Sequence, residues 1–124
     1  MFRLWRKVLG SRGERTAERF LKRRGHRILA RNFRCPGGEI DLVTLDGRTL
    51  VFVEVKTRES SAHADPQESV NYDKQRRVIQ AARFYRRAKS AEHLPCRFDV
   101  VGVVMAPGMP EQVCHIPDAF SPMS

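Results

Sequence analysis

The stretch GEIDLVTLDGRTLVFVEVKTR, Gly38 to Arg58, constrains the fold more than any other part of the chain. Two alternating apolar runs flank Asp46-Gly47, a dipeptide that marks a two-residue hairpin turn. With those two residues in the turn, Leu45 faces Arg48, Asp41 faces Phe52, and Glu39 faces Glu54. Side chains alternate with a period of two. Glu39, Asp41, Glu54 and Lys56 therefore share one face, and Ile40, Leu42, Val51, Val53 and Val55 the other. Asp41 and Glu54 become diagonal neighbours, close enough to share a ligand. A one-residue slip would mix the apolar face, which favours this register.

Three clustered carboxylates repel, and one tends to keep its proton. Lys56 offsets part of that repulsion. A divalent cation would offset the rest, and Mg²⁺ (or Mn²⁺) suits one or two carboxylates completed by waters and phosphate oxygens. The chemistry this suggests is phosphodiester hydrolysis, with Asp41 and Glu54 as metal ligands. The metal would acidify a bound water and neutralise developing charge. Lys56 would orient the attacking water or stabilise the transition state. The competing reading is a solvated polar face carrying a Glu54–Lys56 surface pair.

The rest of the chain supplies the elements around this hairpin. Ser11 to Arg24 reads as a helix, with Ala17, Phe20 and Leu21 as its apolar stripe and Gly25 just past its end. Residues 1–10 read as a basic N-terminal extension. Glu14 lies on the stripe side, where it could reach the metal; it also completes a capping box with Ser11. His26 to Phe33 reads as a strand and Cys35-Pro36-Gly37-Gly38 as a turn. Residues 59–68 read as a loop, and Ser69 to Lys89 as a second helix with Val78, Ala81, Ala82 and Tyr85 inward. Lys74 lies one turn before Val78. It and Arg58 are candidates to hold the scissile phosphate, or are surface charges. RFDVVGVVM, Arg97 to Met105, reads as a strand buried on both faces. Gln112 to Ile116 reads as a short last strand. The order is α/β with a mixed central sheet flanked by helices, and residues 1–124 fit one domain.

Charge points to the partner. The net charge is +9 from 23 Lys+Arg against 14 Asp+Glu. Residues 1–34 carry 12 basic and 2 acidic side chains, leaving the remainder at −1. Arginine dominates, and its planar fork suits phosphate. Nucleic acid is thus the expected partner, held through Arg12 and Arg15 on the first helix and through Arg31 and Arg34. Such contacts give affinity without base specificity. No run of apolar residues is long enough to span a bilayer, so no membrane partner is expected. The three cysteines lie far apart, as reduced cytoplasmic thiols do. His26, His63, His93 and His115 share no motif and read as ordinary surface or strand histidines.

GEIDLV…LVFVEVKTR, together with GERTAERFL, ILARNFR, DKQRRVIQAARFY and RFDVV, resembles the signature of the YraN family of bacterial proteins. That family looks like a branch of the PD-(D/E)xK nuclease superfamily, near the Holliday-junction resolvases. The resemblance spans almost the whole chain. It implies a restriction-endonuclease-like αβββαβ core. It carries Asp41 over as the first motif carboxylate, Glu54-Val55-Lys56 as the ExK element, and Glu14 as the helical glutamate. Lys74 falls where many members carry a polar residue. Glu39 belongs to the GEID signature without an assigned role, and Ile40 stands where others have proline. The implied activity is a Mg²⁺-dependent endonuclease on structured or branched DNA. A branched substrate favours a homodimer, because two strands are cut symmetrically. The alternative is a DNA- or RNA-binding module that keeps the fold without cutting.

Overall fold

The computed structural model describes residues 2–59 and 71–122. Two helices sandwich a five-stranded mixed sheet of order β1-β2-β3-β4-β5. The elements run α1 (Phe2–Arg23), β1 (Arg27–Cys35), β2 (Gly38–Asp46), β3 (Thr49–Arg58), α2 (Tyr72–Ala88), β4 (Cys96–Val104) and β5 (Gln112–Phe120). Only β3 and β4 pair in parallel, and α2 is the crossover between them. This arrangement is consistent with a restriction-endonuclease-like core.

Two apolar layers hold the sandwich. Under α2, Ile40, Val43, Leu50, Phe52, Phe98 and Val100 meet Val78, Ala81, Ala82 and Tyr85. Under α1, Leu42, Val51, Val53, Val101 and Val103 meet Ala17 and Leu21. β4 is therefore buried on both sides, as its nearly continuous apolar run requires.

Several sequence expectations are corrected. α1 begins at Phe2, so residues 1–10 are not a separate extension, and Ser11 lies inside the helix. The capping box fails with it, because a cap exists only where backbone N–H groups lack helical partners. Gly25 does end α1, with φ +92 and its N–H bonded to the Lys22 carbonyl. β5 runs on to Phe120 instead of stopping at Ile116. α2 is capped by Asn71, whose side chain accepts from the Lys74 N–H. The expected loop 59–68 lies, beyond Glu59, outside the described residues, as do His63 and the expected helix start at Ser69.

The hairpin register moves by two residues. Asp46 pairs with Thr49, Leu45 with Leu50 and Leu42 with Val53. Gly47 (φ +62) and Arg48 form the turn, matching a II′-type loop with glycine first. Asp46 is held in the strand because the Arg97 Nη1 donates to its Oδ2 at 3.1 Å. A shift of two leaves the pairing parity unchanged, and Glu54 and Lys56, two apart on β3, point together. Ile40 is the exception: it packs under α2 with Val43, three residues on. The alternation slips once between them, at the level of Asp41. The neighbouring strand slips there too, with Asn32 at φ +50 between Ala30 and Phe33.

Two glycines let the helices approach. A Cβ on Gly13 would lie 2.0 Å from Thr57 Oγ1 on β3, and one on Gly38 2.5 Å from the Arg77 carbonyl of α2. Each glycine precedes an acidic residue, Glu14 or Glu39. Gly38→Ala should cost about 1–3 kcal/mol, because α2 backbone, not a flexible side chain, must move. Thermal unfolding measures it; an unchanged melting temperature would contradict the close packing.

Candidate functional site

The irregularity in β2 makes the site. The β2–β3 ladder ends at Leu42–Val53. Just beyond it, the Val55 N–H donates to Asp41 Oδ2 at 2.8 Å, so a side chain takes a backbone partner's place. The extended register puts Asp41 opposite Glu54. Sequence reasoning had these two as diagonal neighbours, with Glu39 facing Glu54. The structure brings the motif carboxylates closer than that.

Glu54 is 3% exposed and its Oε2 has no hydrogen-bond partner. Burial first, and the Asp41 charge second, push its pKa up to about 8; Lys74 and Lys56 pull the other way. Burial also raises Asp41, against the Val55 N–H and Lys74. Glu14 is raised by burial and by Asp41, and the Asn32 side chain opposes this with a hydrogen bond. All three carboxyls are thus disfavoured as anions.

Lys74 Nζ bridges the acids, 3.0 Å from Glu39 Oε1 and 3.4 Å from Glu54 Oε1. Burial pulls its pKa down, but Glu54 and Glu39 outweigh that and leave it above the usual value. Glu39 also lies 3.6 Å from Arg77 and 4.0 Å from Arg34. Its pKa is lowered, chiefly by the Lys74 hydrogen bond. Glu39 thereby gains the job the sequence left open: it anchors the start of α2 so that Lys74 stands over Glu54.

The remaining expected residues scatter. Arg58 ends β3 with a buried Nε that lacks a partner. Arg34 is 77% exposed at the rim. Arg31 is engaged by both oxygens of Glu18, the second at 3.1 Å. Arg12 lies 3.8 Å from Glu111, and Arg15 is exposed. Among the described residues, no three His, Cys, Asp or Glu side chains converge into a ready metal cage. What fits a hard cation is narrower: the buried Glu54 carboxylate, with one partnerless oxygen, beside the half-buried Asp41.

Sequence reasoning missed a second polar cluster. Asp99, fully buried, accepts from Arg97 Nε at 3.0 Å and the Asp118 N–H at 3.0 Å, and meets His115 Nε2 at 2.7 Å. His26 is likewise buried, its Nδ1 2.8 Å from Thr44 Oγ1. His115 is a strand residue as expected, on β5, but His26 is a buried residue just before β1, not a surface or strand one. The available signal was the carboxylate in RFDVV, since a buried carboxylate demands partners.

The uncharacterised protein family UPF0102 matches residues 13–103, a span that holds Glu14, the hairpin and α2. The chain belongs to the UPF0102 family. A UPF0102 protein of Geobacter metallireducens is 47% identical over 117 residues, covering 94% of this chain and 95% of its own. UPF0102 protein GSU0650 of Geobacter sulfurreducens is 45% identical, with 92% and 89% covered. One from Hahella chejuensis is 43% identical, with 91% and 90% covered. This agrees with the YraN-like resemblance of the sequence. Among the described residues no helix is long and apolar enough to cross a membrane.

Proposed function

We propose that this UPF0102 member is a Mg²⁺- or Mn²⁺-dependent endonuclease of the PD-(D/E)xK type, acting on branched DNA in the cytoplasm. The observation that carries this reading is the Asp41–Glu54 pair: a buried Glu54 carboxyl with an unpartnered oxygen, a half-buried Asp41 beside it and a lysine over them. A buried carboxylate oxygen without a partner calls for an explanation, and a bound cation supplies one.

Asp41 and Glu54 would hold the cation, which supplies an acidified water and charge neutralisation at the phosphate when bound. Glu14, on the α1 side, would reach it through water. The chain's own residues do the rest. The Val55 N–H fixes the Asp41 carboxylate so that it cannot rotate away. Lys56 lies near enough to Glu54 to lower its pKa, and offers a proton donor beside the attacking water. Lys74, held by Glu39, stands where a phosphate oxygen would replace one of its carboxylate partners. Arg34 and Arg58 line the rim, and Arg12, Arg15 and Arg31 add backbone contacts from α1 and β1. Three free cysteines, Cys35, Cys96 and Cys114, fit a reducing compartment. A homodimer would place two sites on the two strands of a junction.

The test is cleavage of a labelled four-way junction, a flap and a linear duplex, with Mg²⁺ or Mn²⁺ across pH 6–9. Asp41→Ala should abolish strand breaks while leaving metal-free DNA binding intact. If wild type and Asp41→Ala behave alike on every substrate, the enzymatic reading falls. Salt-sensitive binding without any break would then favour the non-catalytic module.

A further inference from the structure

Among the described side chains, several of the basic groups on α1 and β1 face acids. Arg12 and Arg19 face Glu111, and Lys22 and Arg31 face Glu18. α2 differs. Arg76, Gln80, Arg83 and Arg87 recur at helical spacing on the side away from Val78, Ala81, Ala82 and Tyr85. All four are exposed, and no carboxylate lies within ion-pair distance of the three arginines among the described residues. A depression of about 580 Å³ on this face is lined by Gly37, Arg76, Arg77, Gln80 and Arg83, with Asp73 its one acid. The face is continuous with the site, because Arg77 contacts Glu39 and Gly37 precedes the Gly38-Glu39 pair. From there α2 runs to the hairpin end, where Arg86 donates to the Leu94 carbonyl at 3.2 Å.

We propose that the outward face of α2 is a track for the sugar–phosphate backbone of a duplex DNA arm leading away from the carboxylates. It rests on the nucleic-acid reading above and adds a surface to it. Arg76 and Arg87 are eleven residues apart, roughly 16 Å along a helix. That matches about five base-pair steps at ~3.4 Å per nucleotide of one strand. A duplex fits better than a single strand, which would need free aromatic faces for its bases. Each of the two exposed rings here already has a partner on one side: Arg76 lies over Tyr72 at 5.9 Å, and Phe33 meets Phe84 at a tilt at 6.3 Å.

The experiment uses the full chain without divalent cation and measures duplex affinity against salt. A triple variant, Arg76→Ala, Arg83→Ala and Arg87→Ala, should reduce the slope of log K against log salt by about 2.7, at roughly 0.9 per lost phosphate contact. The control removes equal charge at the hairpin end, with Arg23→Ala, Arg27→Ala and Arg48→Ala, and should move the slope by less than about 1. A 20-nucleotide single strand should show the smaller change in both. Equal slope losses in the two triple variants, an unchanged slope in the first, a loss confined to single strands, or no duplex binding by wild type would each overturn the proposal. Wild type that binds duplex along this track but never cuts would leave it standing while the endonuclease reading fails. Circular dichroism melts of both variants should match wild type, since every altered side chain is exposed.

Discussion

Glu54→Gln should abolish cleavage, by at least about a thousandfold or ~4 kcal/mol of barrier, and at the same time stabilise the metal-free protein at alkaline pH. The two effects share one cause. Glu54 is held in the fold at a pKa of about 8, against 4.5 for the unfolded chain. Between those values the folded state binds the extra proton. Stability therefore falls as pH rises from 4.5 through 8, by something on the order of 3–5 kcal/mol at full ionisation. A glutamine has the same shape and no charge to bury. Its carbonyl can accept from Lys74 and its amide can donate to Asp41, so the site keeps its contacts.

Melting curves at pH 5 and pH 9 without divalent cation should coincide for wild type and variant at the lower pH. At pH 9 the variant should melt higher by roughly 10 °C, at a few degrees per kcal/mol. Added Mg²⁺ should raise wild type at pH 9 and leave the variant unmoved. If the proposed activity holds, the same competition between proton and metal should make cleavage rise with pH toward 8, with the midpoint moving down as Mg²⁺ increases. Melting curves that differ as much at pH 5 as at pH 9 would mean that the carboxyl of Glu54 is not the strained group.

The hairpin shows what sequence could and could not give. Alternation alone placed Glu54 and Lys56 together, because they lie two residues apart on one strand. The register itself turned on Asp46, which an Asp-Gly rule assigns to the turn. Arg97, fifty-one residues away, holds it in the strand. Local chemistry cannot report such a long-range partner. The same holds for Asp41, whose position depends on a slip in β2 matched by Asn32 on β1. Glu14 was legible as a stripe residue, yet its approach to Asp41 needs Gly13 pressed against Thr57. Glu39 was legible only as part of a motif. Its work appears once α2 lays Lys74 across it. The α2 arginines were hidden by their number: in a chain with 18 arginines, only ion pairing separates the answered from the unanswered.

Asp99→Ala should be the most destabilising of the simple truncations, at about 3–5 kcal/mol, because it removes the centre of a buried network and leaves its partners uncompensated. Arg97 would lose its inner carboxylate and keep only Asp46 at the hairpin turn. His115, already carrying a buried Nδ1 without a partner, would lose the contact at its other nitrogen. The Asp118 N–H, on a residue at φ +52, would lose its acceptor. Burial pushes the Asp99 pKa up, but His115, Arg97 and the Asp118 N–H together hold it below the ordinary 3.8. A depressed carboxylate stabilises the fold above its unfolded pKa and loses that contribution as pH falls through the folded one. The gap between wild type and Asp99→Ala should therefore be full at pH 6 and close below about pH 3.8. Asp99→Asn, which keeps an acceptor for one of the three donors, should cost roughly half as much. Asp99 pairs with Val53 on the face away from Glu54, so this network supports β3 from behind and takes no part in the chemistry. Cleavage measured well below the lowered melting temperature should survive in Asp99→Ala. Loss of cleavage there, in protein shown to be folded, would assign Asp99 to the site and not to the scaffold behind it.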